Sequence, residues 1–168
     1  MIGQIFLILS LLILSGFFSS SETAFTSLSS FQIDSIAEKR GSRGKLVRKL
    51  LKKPEKFLTA ILAGNNLVNI SLSVISTRLT IDLLGNAFIG YMTGLLTLAI
   101  LIFGEVIPKN LALAHNEAIA VFSAPIINAF IIVFSPFVYF ITLISSFITR
   151  YLSPKSRDPL NMDAILRL

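Results

Sequence analysis

"FSSSETAFTSLSS", residues 18–30, closes an apolar run that carries no charged side chain from residue 1 until Glu22. Serines and threonines crowd around that one carboxylate, in helical register with the apolar residues before them. Read as the polar end of a membrane-spanning helix, the stretch sets the class of the whole chain. Two further stretches pose the same question: "AGNNLVNIS" (63–71) and "IFGEVIPKN" (102–110).

Composition supports the membrane reading. Of 168 residues, 54 % are hydrophobic and 14 % charged, with a mean hydropathy of +0.79. A soluble domain carries roughly 25 % charged residues, and a core of this size could not hide the apolar excess. Cysteine is absent, which excludes disulfides, thiolate metal sites and a thiol nucleophile. The single histidine, His115, makes neither an imidazole cluster nor a triad, and with Glu105 ten residues away it gives no paired acid and base. No enzyme is expected.

The net charge of +6 arises in one place: residues 38–56 hold nine Lys or Arg against two Glu. Without aromatic interleaving this is not a nucleic-acid surface. It is expected to be a cytoplasmic loop near anionic lipid headgroups.

Residues 1–21, 57–77, 83–104 and 118–149 lack any Asp, Glu, Lys, Arg or His. A crossing takes about 20 apolar residues, so the first three predict one helix each. A secretory signal is not favoured for the first, which lacks a basic leader and a small-residue cleavage site. The basic loop places the N-terminus outside. The second span then runs outward to Arg78–Asp82, with "LGNAFIG" (84–90) as the external turn, and the third returns. The fourth interval, 32 residues, is too long for one straight crossing and too short for two. Pro125 and Pro136 are expected to interrupt it. With "RYLSPKSR" (150–157) basic and so cytoplasmic, it reads as a broken hairpin or a belt at the cytoplasmic interface. In the basic loop, "SIAEKR" and "KLVRKLLKK" predict two short amphipathic helices separated by "GSRG", with Leu46, Leu50 and Leu51 sharing one face.

Three motifs carry the chemistry. Ser15, Ser19, Thr23 and Ser27 form one stripe on the first span; small-residue helix packing explains such a stripe as well as a ligand does. Asn65, Asn69, Ser73 and Thr77 line one side of the second, with Asn66 beside them. A hydrogen-bonded helix interface would also use them. In the third, Pro108 deprives the carbonyl of Gly104 of its helical donor, beside Glu105, an expensive group at membrane depth. Lys109 offers Glu105 an ordinary i,i+4 ion pair as the plainer explanation. Together the motifs supply only oxygen donors, which suit a hard cation such as Mg²⁺, Ca²⁺ or Na⁺.

"FFSSSETAFTSLS", "LAGNNLVNI" and "FGEVIPKNLAL" resemble, in this order, the membrane domain of the CorC/cyclin-M family of magnesium transporters. The resemblance covers essentially the whole chain. It implies an all-α membrane protein: three transmembrane helices per subunit (about 1–30, 57–82 and 84–113), short cytoplasmic helices and a broken juxtamembrane helical belt (about 117–153), assembled as a homodimer. The transmembrane domain would occupy 1–153, and 154–168 would be a linker toward a cytoplasmic CBS-pair domain of the same chain. It implies a Mg²⁺ site formed by Ser19 with Ser20 or Ser21, by Gly64, Asn65 and Asn66, and by Gly104 and Glu105. The family shows "FSG" in many members where this chain has "FSS" at 18–20. The implied function is export of Mg²⁺ across the inner (plasma) membrane, coupled to Na⁺ influx, with the C-terminus cytoplasmic. The alternative is a membrane-embedded Mg²⁺ sensor or scaffold that regulates another transporter.

Overall fold

The computed structural model of the protein describes residues 2–137 and, beyond them, 139, 140, 143, 144 and 147. The expected tail segment 154–168 and the far part of the belt lie outside the described residues. The architecture is all-helical, with no strand among the described residues. The order is α1 (Ile2–Thr26), α2 (Ser30–Lys39), α3 (Gly41–Leu51), α4 (Pro54–Leu84), a 3₁₀ turn (Asn86–Phe88), α5 (Ile89–Ala99), a π-helical segment (Ile100–Val106), α6 (Ile107–Ala114) and α7 (Asn116–Val133).

Four of these stretches are long and apolar enough to cross a membrane: Ile2–Thr26, Pro54–Leu84, Asn86–Ala114 and Asn116–Val133. The fourth of them, α7, falls in the interval expected to form a broken hairpin or belt rather than a straight crossing. The difference turns on proline. Pro125 was expected to interrupt the fourth interval, yet it lies inside α7, which continues to Val133 and ends at Phe134. Pro125 withholds an N–H from the Val121 carbonyl alone, while Ala120, Ala124 and Ile127 are completely buried and hold the helix on both sides of it. The break instead falls at Phe134, two residues before Pro136, which has no N–H to continue the helical ladder.

α1 is the central helix, packed against α4, the π segment, α6 and α7. At its C-terminal half the core is dry: Phe25 stacks at a tilt on Phe57 with ring centroids 4.5 Å apart. Ala24, Ala60, Ile61, Val47 and Ala120 close around this pair. α5 buries no residue, and its Leu95 and Leu98 are exposed, as is Leu101 in the π segment, as suits helices in hydrocarbon. Gly64 marks the tightest approach. A Cβ there would meet Phe18 Cζ at 2.6 Å and Phe130 Cζ at 3.1 Å. Gly64→Ala is expected to cost about 1–3 kcal/mol by overpacking, read as a lowered Tm in detergent; an unchanged Tm would mean the two rings move freely.

The basic loop folds into a helical hairpin beneath the bundle. "GSRG" does not separate the two helices; it opens the second. Gly41 takes φ +57, a left-handed conformation that turns the chain sharply after α2, and Gly44 seats α3 directly on the Ile36 carbonyl. The buried face of α3 is Gly44, Val47 and Leu50, with Leu46 and Leu51 only partly covered. Ser29 caps α2 in a reciprocal box with Gln32, whose backbone N–H donates to Ser29 Oγ at 3.3 Å. The same Gln32 donates through Nε2 to Glu117 Oε1 at 3.1 Å. Asn116 Nδ2 donates to Ser27 Oγ at 3.2 Å. These bonds tie the C-terminal end of α1 to the N-terminal ends of α2 and α7.

Candidate functional site

The polar residues of the three motifs meet where α1 passes between α4 and the π segment. Ser15 is fully buried and lies within donating distance of two amide oxygens, Asn69 Oδ1 at 2.8 Å and Asn65 Oδ1 at 3.2 Å. A hydroxyl has one hydrogen, so it serves one amide oxygen fully at a time. On the other side, a Cβ on Gly104 would stand 2.9 Å from Ser15 Oγ; only glycine leaves that oxygen its place. One turn along α1, Ser19 is also fully buried, and its Oγ has no hydrogen-bond partner among the described residues. A buried unsatisfied hydroxyl costs about 1–3 kcal/mol, which asks for a ligand or water to satisfy it.

The backbone supplies a further acceptor. The Ile107 N–H donates to the Ile102 carbonyl, five residues back. In that register Pro108 would serve Phe103, but proline has no N–H. The carbonyl of Phe103 is thus left without a donor from Pro108, because the π segment moves the register by one residue. Phe103 O faces α1, 3.3 Å from where a Gly16 Cβ would be. The oxygens along this stretch of α1 are those of Ser15, Asn65 and Asn69, with Ser19 one turn on and the Phe103 carbonyl beside Gly16.

The remaining expected residues are placed differently. Ser20 and Ser21 donate back to the Phe17 carbonyl, at 3.1 and 2.7 Å, as hydroxyls in helices commonly do. Gly64 is buried against Phe18 and Phe130 rather than beside Ser15. Asn66, about 100° round α4 from Asn65, is exposed. It borders an apolar cavity of about 490 Å³ with Phe130, Phe134 and Phe137. Glu105 is half-buried and has no ion-pair partner among the described residues. The expected pair with Lys109 is replaced by one between helices, Lys109 Nζ to Glu22 Oε2 at 4.0 Å. Both side chains are substantially solvent-accessible, so Lys109→Ala is expected to change unfolding free energy by less than about 1 kcal/mol. A large drop in Tm would contradict this.

Ser15 and Asn69 are the residues that the expected ligand set lacked. Their signal was present: Ser15 precedes Ser19 by four on the hydroxyl stripe, and Asn69 follows Asn65 by four on the amide line. The described residues contain no group of three or more His, Cys, Asp or Glu placed to hold a metal. Any cation held here would be met chiefly by neutral oxygens.

Residues 6–165 match the model of the cyclin M transmembrane N-terminal domain. The chain is 38 % identical over 143 residues to a UPF0053 protein of Haemophilus influenzae, covering 84 % of this chain and 34 % of that protein. It is 34 % identical to the UPF0053 inner membrane protein YfjD of Escherichia coli, over 85 % of this chain and 33 % of that one. A second Haemophilus influenzae relative, named polyamine export protein, is 28 % identical over 85 % of this chain and 36 % of its own length. The chain thus spans about a third of the length of these curated relatives. With nearly its whole length matched, the chain belongs to the cyclin M transmembrane N-terminal domain family.

Proposed function

We propose that this domain exports Mg²⁺ across the inner membrane, driven by Na⁺ entering, and acts as a transporter domain rather than an enzyme. One observation carries the reading: the buried Ser15 hydroxyl lies within reach of the amide oxygens of both Asn65 and Asn69, one turn from a buried Ser19 Oγ that has no partner among the described residues. A hard cation suits such a cluster, because it takes lone pairs from several oxygens at once where a hydroxyl serves only one. Low formal charge keeps affinity modest, and a transported ion must also leave. The Ser15 hydroxyl, seated between two amides, holds both in place in the empty state and can turn its lone pairs inward when an ion enters. Glu105, half-buried beside Gly104, would add a negative charge.

In this reading α1, α4 and the α5–π–α6 unit make the three crossings, with the N-terminus outside. α7 lies as a belt on the cytoplasmic side, above the basic α2–α3 hairpin. The subunit works as a homodimer, through faces such as that of α5, and in the longer chain it is governed by a cytoplasmic CBS-pair domain. Localisation in the inner membrane is supported by the relative whose name states it.

A second reading comes from the relative named polyamine export protein: the same cleft would pass an organic polycation, with Glu105 facing its ammonium groups. Proteoliposomes separate the readings. With a Mg²⁺-sensitive dye inside and an imposed Na⁺ gradient, the domain is expected to move Mg²⁺ and to be unaffected by spermidine. Spermidine flux without Mg²⁺ flux favours the polyamine reading, and Mg²⁺ binding without flux of either favours a sensor.

A further inference from the structure

Away from the oxygen cluster, a second cavity of about 370 Å³ opens between the end of α3, the start of α4 and α7. Its rim carries Lys49, Lys52, Lys53 and Lys56. All four are exposed, and none has an ion-pair partner among the described residues. Glu55 is the one carboxylate in this stretch, so residues 49–56 hold four positive charges against one negative. Beneath the rim the floor is apolar: Phe57, Leu50 and Ile131 are buried there, and Asn128 adds one polar group. The floor does not end inside the protein. Ile132 on α7 lines the cavity while remaining 65 % exposed, and Val133 beside it is 72 % exposed.

Four ammonium groups without an ion-pair partner among the described residues, and with one carboxylate in their stretch, ask for an anion, and an exposed apolar track leading away from them asks for hydrocarbon. Lys53 caps α4 at the point where the charged loop gives way to the charge-free run 57–77, so the rim stands at the level of lipid headgroups. We infer that this cavity is a binding site for one anionic phospholipid, its phosphate among the four lysines and an acyl chain along Ile131 and Ile132. Free phosphate would use the rim and leave the track bare, and an acidic peptide would match the charge but not the hydrocarbon. Diffuse attraction of a basic loop to a charged leaflet needs no cavity, whereas here two helices and a hairpin shape one.

The test is lipid retention by the detergent-purified chain after exchange into micelles containing phosphatidylglycerol or phosphatidylcholine, quantified by mass spectrometry of the extract. The expected result is preferential retention of phosphatidylglycerol. Changing Lys49, Lys52, Lys53 and Lys56 together to Gln should reduce it roughly tenfold or more, since each lysine near an anionic surface contributes several-fold in affinity. The charge-matched variant with Lys39, Arg40, Arg43 and Lys45 changed to Gln, all exposed outside the cavity, should retain the lipid as the unaltered chain does. Equal loss in both variants, equal retention of the two lipids, or full displacement by inorganic phosphate would overturn the site. So would tighter capture of a poly-glutamate peptide than of the lipid. Should the four-lysine variant fail to fold, the unaltered chain still decides: its Tm should rise with added phosphatidylglycerol and not with phosphatidylcholine, and an identical response to both would overturn the site.

Discussion

The double substitution Asn65→Ala, Asn69→Ala should leave a folded protein whose Tm no longer responds to Mg²⁺. The two effects separate because they have different sizes. Removing both amides takes away the Ser15 bonds at 2.8 and 3.2 Å. Interhelical hydrogen bonds within membranes average only about 0.6 kcal/mol, so the unliganded domain should lose about 1 kcal/mol. The loss of two inward oxygens from a site that has few should weaken ion binding about a hundredfold or more, since even groups that only support metal ligands are worth 10–100-fold. Titration of Mg²⁺ against Tm for the unaltered and doubly substituted proteins measures both at once. A variant that melts normally and still responds to Mg²⁺ at the original concentration would remove these amides from the site. Asn66→Ala is the internal comparison: it is exposed on the apolar cavity and should leave Mg²⁺ response intact.

The largest effect on the fold is expected from Gly44→Ala. A Cβ there would collide with the carbonyl oxygen of Ile36, stand 2.8 Å from its carbon, and stand 3.1 Å from Ala37 Cα. All three obstacles are backbone, so no side-chain rotation relieves them, unlike the phenyl rings around Gly64. Either α2 and α3 part or one of them unwinds. Overpacking costs about 1–3 kcal/mol when side chains can adjust, and this substitution should reach or exceed the top of that range. The α2–α3 hairpin also carries the Gln32–Glu117 bond to α7, so its opening should be visible locally as well. Limited proteolysis with trypsin should cut faster at Arg40 and Arg43 in the variant than in the unaltered protein. Unchanged cleavage and Tm would show that the hairpin crosses less closely than the structure has it.

Much of this was legible in the sequence, for physical reasons that differ by element. The spans of α1 and α4 follow from charge-free runs of membrane length, because hydrocarbon tolerates no unpaired charge. The basic loop gave up its hairpin through the pattern of leucines, but not the role of its glycines. Whether a glycine links, turns or seats a crossing depends on what lies opposite, and Ile36 is opposite Gly44 only in three dimensions. α7 was misjudged at Pro125 because a missing hydrogen bond can be tolerated when neighbours such as Ala120 and Ala124 are packed on every side. At the site, the stripes were visible at a spacing of four residues, yet the depth at which α1, α4 and the π segment meet was not. That depth selects Ser15 and Asn69, while Ser20, Ser21 and Asn66 share the motifs but face elsewhere. The π segment itself leaves no local signature beyond Pro108, and it brings in the Phe103 carbonyl, which an α-helical register would have paired with Ile107.

The most direct test of the central claim is a thermal-unfolding titration of the detergent-purified chain with Mg²⁺, Ca²⁺ and Na⁺ in parallel. A ligand that binds only the folded protein stabilises it by about 2.7 kcal/mol at a hundredfold its Kd. The oxygen cluster around Ser15 predicts a saturable rise in Tm that prefers Mg²⁺ and disappears with Asn65 and Asn69. A Tm indifferent to all three ions would contradict it.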